Sequence, residues 1–139
     1  MNKKKVMVFG VFDGLHPGHR FLVEQARTCG DELIVVVARD IMVQLIKEKL
    51  PRENQETRRK NIGELKEVTQ AILGDTGLGV YQVIHDHEPH IICLGYDQDG
   101  LQEDLERAER EGTIPRIERR RLESHHPEKY RSSLWQGEE

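Results

Sequence analysis

Five consecutive apolar residues, Leu33 to Val37, constrain the fold of this chain more than any other stretch. A strand that is apolar on both faces is buried on both faces, which is typical of a parallel sheet. The stretches KVMVFG and HIICLG have a similar character, and each ends at a glycine, Gly10 and Gly95. Because helical patterns separate these strands, the chain is predicted to form a Rossmann-like three-layer α/β/α fold with a parallel five-stranded sheet.

The remaining elements follow from periodicity and from helix stop signals. Two more strands are predicted, in QAILG (70–74) and, at an edge that tolerates Pro115, in TIPRIERRR (113–121). Helical patterns cover 19–30, 41–49, 53–68, 79–88 and 100–111. The 53–68 helix has an apolar side made of Ile62, Leu65 and Val68. Since no linker or repeat is visible in the 139 residues, one domain is predicted to cover 1–139.

The charge balance argues against nucleic acid as a partner. The formal net charge is −4, and aromatic residues make up 5% of the chain. Nucleic-acid binders usually carry a basic excess, and single-strand binders use aromatic platforms. The basic N-terminal residues precede an apolar run too short for a signal peptide, and no stretch approaches the length of a membrane span. The expectation is a cytoplasmic protein that binds neither nucleic acid nor membrane.

The loop after the first strand, GVFDGLHPGH, contains two histidines three residues apart at the start of a helix. Pro17 suits the first helical position because it has no N–H group, and Gly18 keeps the first turn free of a side chain. Gly10 lets backbone approach a ligand closely. His16 and His19 then lie on one side of a helix entrance whose N–H groups and dipole attract anions. Two imidazoles there suit the stabilisation of charge on a phosphate during its transfer.

Two alternatives to a phosphate site exist at this loop. In the first, one histidine caps a turn and the other covers the core. In the second, the histidines bind a metal ion, but neither a third ligand nor a known ligand spacing lies nearby. A phosphate site explains the pair and the Pro-Gly between them together.

The loop resembles the signature of the HxGH nucleotidyltransferases, the cytidylyltransferase-like family, whose usual form is Gly-x-Phe-Asp-x-x-His-x-Gly-His. Every fixed position matches, and the departure is Val11, where threonine is commonest. The resemblance continues through GDELIVVVARD, HIICLGYDQ and YRSSL, so it covers nearly the whole chain. It implies a one-step displacement in which a phosphate oxygen of an acceptor attacks the α-phosphorus of a nucleoside triphosphate. Mg2+ assists and pyrophosphate leaves.

By similarity to the family, this loop supplies the catalytic groups. His16 and His19 contact the triphosphate and stabilise the transition state. The remaining residues of the nucleotide corner are Gly10, Val11, Phe12, Pro17 and Gly18, with the backbone of Val11 and Phe12 facing the nucleotide. Asp13 is expected near the metal and acceptor end of the site, and no protein metal ligand is assigned.

The resemblance also implies phosphate contacts from the segment after the second strand. A lysine there reaches the phosphates, and spacing does not separate Lys47 from Lys49, either of which could instead be a solvated helix charge. Arg58 best fits the arginine that joins this lysine.

Two later segments complete the expected nucleotide site. Gly95, Tyr96 and Asp97 follow the fourth strand and are expected to hold the base and ribose. The alternative is a turn in which Asp97 is the N-cap of the next helix. Ser132 and Ser133 match a phosphate-binding motif of the family and could cap a short helix while they donate to phosphate.

The substrates remain open within this family. The strings VARD and LGYDQ and the small size are most similar to archaeal-type FAD synthases, which transfer AMP from ATP to FMN. The alternatives are glycerol-3-phosphate cytidylyltransferase, which uses CTP, and sugar-phosphate adenylyltransferase. A nucleotide-binding protein without turnover is a further alternative, against which the intact His16, His19 and Ser132 argue. The exposed short helices would allow a homodimer.

Overall fold

The structure is a computed structural model that describes residues 3–123. Its strands lie at Lys5–Gly10 (β1), Glu32–Val37 (β2), Gln70–Leu73 (β3), Ile91–Leu94 (β4) and Glu118–Arg121 (β5). Its helices lie at Pro17–Arg27 (α1), Asp40–Lys47 (α2), Gln55–Gly63 (α3), Gln82–His87 (α4) and Asp99–Arg110 (α5). Between residues 3 and 123, none of these helices has the length and apolarity needed to span a bilayer.

The five strands form one parallel sheet, as predicted, and their order is β3-β2-β1-β4-β5. Strand β1 is central: β2 and β3 follow on one side of it, and the chain then crosses over so that β4 and β5 lie on the other side. At such a reversal the connections leave the sheet in opposite directions and open a crevice at the carboxyl ends of the strands. The loop after β1 therefore lies where ligands bind in sheets of this kind.

Two cores cover the two faces of the sheet because successive strand residues point to opposite faces. One core contains Val6 and Val8 of β1, and α1 and α3 pack on it through Val23 and Ile62. The other contains Met7 of β1, and α4 and α5 pack on it through residues that include Ile84, Leu105 and Ala108. This alternation establishes three layers, in agreement with the predicted fold class.

Several element boundaries differ from the sequence expectation. Helix α3 ends at Gly63, where an added Cβ would lie 3.2 Å from the Cβ of Ala71 in β3. Leu65 and Val68 follow the helix instead of extending it, yet both pack in the same core. The edge strand is confined to Glu118–Arg121, so the segment around Pro115 precedes it. The apolar side predicted for 53–68 packs in the core, whereas the helix predicted there and the edge strand predicted at 113–121 are both shorter than predicted.

Candidate functional site

The loop after β1 is held in place by its own aromatic side chain. Phe12 adopts a left-handed backbone conformation (φ 57°), and its side chain is buried. A Cβ at Gly10 would lie 2.8 Å from the Phe12 ring, so packing within the loop requires glycine there. The Phe12 ring thus occupies space beside Gly10, and the approach of a ligand to the Gly10 backbone stays a prediction.

His16 and His19 form a stacked pair at the start of α1, with ring centroids 3.6 Å apart and planes inclined by 23°. The Nδ1 atom of His16 accepts the N–H of Gly18 at 3.1 Å. The Nδ1 atom of His19 accepts the backbone N–H of His16 at 3.4 Å. Because both Nδ1 atoms are acceptors, the neutral rings carry their protons on Nε2. An Nε2–H group is the donor that such a ring directs to a phosphate oxygen.

The same contacts give both histidines a structural role. His16 is the N-cap of α1 and Pro17 its first residue, as predicted. His19 is buried and packs edge-on against Phe12, with ring centroids 5.3 Å apart. The alternative of a capping histidine and a core histidine is therefore geometrically correct. It does not compete with a phosphate contact, because the capping bonds use Nδ1 and the phosphate contact would use Nε2.

Asp13 ties the segment before α3 to this loop. Its carboxylate is buried and accepts the backbone N–H groups of Arg52 at 2.8 Å and Glu53 at 3.0 Å. In return, Glu53 Oε1 accepts the N–H of Gly14 at 3.1 Å. These bonds fix the distance between two loops that lie about 40 residues apart in sequence. The position of Asp13 relative to a metal ion or an acceptor stays a prediction.

Arg58 is fully buried, with 0% of its surface exposed. Its guanidinium donates to the carbonyl oxygens of Val11 (2.9 Å), Ala38 (2.8 Å) and Glu53 (2.9 Å), and to Asp40 Oδ1 (2.6 Å). One side chain thus joins the loops after β1 and β2 to the start of α2 and the residues before α3. These contacts indicate a positioning role for Arg58, and its contact with phosphate stays a prediction.

The two candidate lysines lie at the end of α2 in different settings. Lys47 is the last residue of the helix and is half-buried, whereas Lys49 is exposed. Glu48 between them has a left-handed conformation (φ 61°), which ends the helix. The assignment of the phosphate contact to Lys47, with Lys49 as the alternative, stays a prediction.

The turn after β4 is fastened to β1 by Gln98. The side-chain oxygen of Gln98 accepts the N–H of Gly95 at 2.8 Å, and its Nε2 donates to the carbonyl of Phe9 at 2.8 Å. Helix α5 takes Gln98 as its N-cap residue, so the alternative in which Asp97 has that role is wrong. Tyr96 is 39% exposed at this turn. A contact of this turn with the base and ribose stays a prediction.

The third predicted nucleotide segment, Ser132 and Ser133, lies outside the described residues 3–123. Its contact with phosphate therefore also stays a prediction. Within the described range, no three His, Cys, Asp or Glu side chains come together in a way that could hold a metal ion.

A cavity of about 480 Å³ opens at the same edge of the sheet, towards β2 and β3. Pockets that hold small molecules commonly have volumes of about 300–1,000 Å³. The backbone of Gly10 and Val11 lines the cavity, so it adjoins the histidine loop. Its wall is mostly apolar and includes the side chains of Phe9, Val36, Met42, Ile46, Leu78, Tyr81, Val83 and Leu101.

Sequence reasoning missed this cavity and the polar corner that Tyr81 and Asp104 form in it. The missed signal is the glycine-rich stretch GDTGLGVY (74–81), directly after the carboxyl end of β3. Loops at that edge of a parallel sheet are where ligands bind, so this stretch belonged with the loops after β1, β2 and β4.

Comparisons with known proteins show which family the chain resembles. The family model described as Cytidylyltransferase-like matches residues 7–135. The chain is 46% identical over 102 residues to an FAD synthase of Aciduliprofundum boonei, an alignment that covers 73% of this chain and 67% of that protein. It is 44% identical over 94 residues to an FAD synthase of Methanothrix thermoacetophila, covering 68% of this chain and 64% of that protein. The alignments thus span about two thirds of these relatives' length.

A solved structure shares both the fold and part of the sequence. The crystal structure of the lipopolysaccharide core biosynthesis protein from Thermoplasma volcanium superposes with a TM-score of 0.80 at 35% sequence identity. The match covers 89% of this chain and 99% of that one. The three-layer α/β/α arrangement is therefore common to both chains.

Proposed function

The chain belongs to the cytidylyltransferase-like family, and on that premise we propose that it transfers AMP from ATP to FMN, giving FAD and pyrophosphate. The FAD synthases among its relatives support this reaction. His16, His19 and Lys47 are the proposed catalytic residues, and Arg58, which sequence similarity placed among them, is a positioning residue that acts through the backbone it holds. The nucleotide would lie along the loop after β1, the turn after β4 and the segment that contains Ser132 and Ser133.

One observation carries the choice of acceptor, namely the apolar cavity beside Gly10 and Val11. Ile46 and Leu78 line it and are 64% and 63% exposed, so a bound ring would remove apolar surface from water. FMN has a flat, largely apolar ring system with its phosphate at the far end of a chain. With the ring in the cavity, that phosphate would reach towards the histidine loop. Glycerol 3-phosphate has no apolar group that could fill this space.

In the proposed reaction a phosphate oxygen of FMN attacks the α-phosphorus of ATP. A P–O bond forms as the bond to the β-phosphate oxygen breaks, and pyrophosphate leaves with the electron pair. The Nε2–H groups of His16 and His19 donate to the phosphate oxygens on which charge accumulates. The N-terminal end of α1, which begins at Pro17, adds a favourable dipole. No covalent intermediate with the protein is required.

Mg2+ would enter the site with the triphosphate. Magnesium commonly takes most of its ligands from substrate phosphates and water, with one or two carboxylates. Among the described residues, Asp13 is the carboxylate of the histidine loop. When bound, the ion would neutralise charge on the leaving pyrophosphate.

Adenylylation of a sugar phosphate is the second candidate. It is favoured by one observation, the similarity of this chain to a protein described as acting in lipopolysaccharide core biosynthesis. The cavity wall is more apolar than a sugar requires, which is why FMN is preferred.

An assay of the purified protein with each nucleoside triphosphate and each acceptor tests the proposal. We expect ATP, FMN and Mg2+ to give FAD and pyrophosphate in equal amounts, measured by chromatography and a coupled pyrophosphatase assay. A CDP product from CTP and glycerol 3-phosphate, or an ADP-sugar, would replace the proposal with that alternative. Nucleotide binding without any product would favour a non-catalytic protein.

His19→Asn tests the site within the same assay. The asparagine oxygen can still accept the N–H of His16, whereas the Nε2–H donor is lost, so kcat should fall about 100- to 1,000-fold with folding retained. The matched control is His85→Asn, since His85 lies on α4 with its ring against the carbonyl of Thr113. Wild-type activity in the His19 variant would contradict the assignment.

A further inference from the structure

The cavity has a polar corner where α4 meets α5. The hydroxyl of Tyr81 donates to Asp104 Oδ2 at 2.5 Å, and both residues line the cavity. The other carboxylate oxygen, Oδ1, accepts from Arg107 Nε at 2.9 Å. Phe9 and Leu101 are among the apolar residues of the wall. The wall also contains Arg39, Asp75 and Gln98, whose side chains bond backbone groups of the protein. Asp104 is a carboxylate of the wall that is held by other side chains.

Both residues of the corner are held rigidly. Tyr81 adopts a left-handed conformation (φ 56°) as the N-cap of α4, and its ring packs edge-on against Phe9 with centroids 6.2 Å apart. Asp104 lies on α5, one turn before Arg107, which in turn bonds Glu111 Oε1 at 2.6 Å. Rigid placement matters because only a fixed acceptor can select a ligand by hydrogen bonding.

The protonation of the corner leaves it with acceptors only. The hydrogen bond from Arg107 lowers the pKa of Asp104, so this side chain is a carboxylate at neutral pH. Burial, followed by the contact with Asp104, raises the pKa of Tyr81 well above its usual value, so the phenol stays protonated. Its proton points at Asp104. The lone pairs of the carboxylate and of the phenol oxygen can receive a hydrogen bond but cannot donate one.

We propose that Asp104, held by Tyr81 and Arg107, is the residue that selects the acceptor by receiving a hydrogen bond from an N–H group on its ring. The proposal rests on the proposed function, since it names the part of FMN that meets the cavity wall. The ring system of FMN has one N–H group, in its pyrimidine part. In an apolar cavity that N–H would remain unsatisfied without an acceptor, and sites built around such a bond reject analogues that lack it.

The test compares FMN with its N3-methyl analogue, in which a methyl group replaces the ring proton. For the wild-type protein, kcat/KM with FMN should exceed that with the analogue at least about 10-fold. In Asp104→Ala the ratio should approach one, because the acceptor is gone and the methyl group gains space. The KM for FMN should rise about 10-fold while kcat changes little, since the ring of FMN and its reacting phosphate are at opposite ends of the molecule.

Two further variants control this comparison. Glu103→Ala removes a neighbouring carboxylate on α5 that is exposed and does not line the cavity, and it should keep the wild-type ratio. Tyr81→Phe keeps the ring against Phe9 but removes the hydroxyl that orients Asp104. It should lower the ratio about threefold even if Asp104→Ala fails to fold.

The outcomes separate the inference from the function it rests on. If the wild-type protein forms FAD but does not discriminate against the analogue, the inference is wrong and the proposed function stands. The same holds if Asp104→Ala or Tyr81→Phe keeps the wild-type ratio. If the wild-type protein forms no FAD from ATP and FMN, both are refuted.

Discussion

Replacing Arg58 by lysine should lower the stability of the protein even when no ligand is bound. The guanidinium is fully buried and donates to three carbonyl oxygens and to Asp40. A lysine ammonium is a compact charge on a flexible stem and cannot span partners arranged around a planar fork. A buried acceptor that loses its donor costs about 1–3 kcal/mol. With one or two acceptors left unsatisfied, the free energy of unfolding should fall by about 2–4 kcal/mol.

Thermal and urea denaturation without ligand measure this effect. For a chain of this length the Tm should drop by about 8–16 °C, at about 4 °C per kcal/mol. The matched control is Arg59→Lys on the same helix, since the Arg59 side chain is 41% exposed and pairs with Glu56. Exposed pairs contribute little, so this variant should stay within about 0.5 kcal/mol of wild type.

The alternative role for Arg58 predicts the opposite pattern. An arginine that binds phosphate contributes to nucleotide affinity and not to the stability of the free protein. If Arg58→Lys keeps the wild-type Tm and raises the KM for ATP about 10-fold, equivalent to about 1.4 kcal/mol, the positioning role is refuted.

Two further predictions concern packing and pH. Gly10→Ala should lower the free energy of unfolding by about 1–3 kcal/mol, because the added methyl group would lie 2.8 Å from the Phe12 ring. The control is Gly100→Ala, which should not lower it, since an added Cβ there has no neighbour within 4 Å. Urea denaturation measures both variants. Acid should remove the stabilisation from Glu109, whose pKa is lowered below its usual 4.5 mainly by the hydrogen bond from Arg119. Because the native pKa is the lower one, that stabilisation is complete above pH 4.5 and is lost as the pH falls through the native pKa. Stability measured against pH should therefore fall less steeply below 4.5 in Glu109→Gln, and an unchanged curve would contradict this reasoning.

The fold could be predicted from the sequence because its signal is local. Each buried strand is a continuous apolar run, and such runs belong to parallel sheets covered on both faces. The ends of the elements were less predictable, since α3 ends at Gly63, where the helix lies close to Ala71 of another segment. Leu65 has the periodicity of a helix residue and packs in the core from a loop. Periodicity identifies buried residues without identifying the backbone that carries them.

The candidate site divides in the same way. His16 and His19 lie on one helix turn, so their three-residue spacing was enough to predict that they meet. The contacts of Arg58 join residues 18 and 47 positions apart, and the pair Tyr81 and Asp104 is separated by 23 positions. Nothing in the spacing of such residues distinguishes them from solvated charges. Their contacts can be recognised only once the structure shows which loops lie together at the edge of the sheet.

Two buried charged side chains hold the histidine loop in place, one as an acceptor and the other as a donor of hydrogen bonds. Asp13, within the loop, accepts N–H groups from the segment before α3, while Arg58 donates from α3 to the carbonyl of Val11. The loop is thus held by one negatively charged and one positively charged side chain. Donors that are already in place stabilise a transition state without reorganisation. If the stacked rings of His16 and His19 act in this way, loosening Arg58 should lower kcat more than it raises KM, even at temperatures where the variant is fully folded.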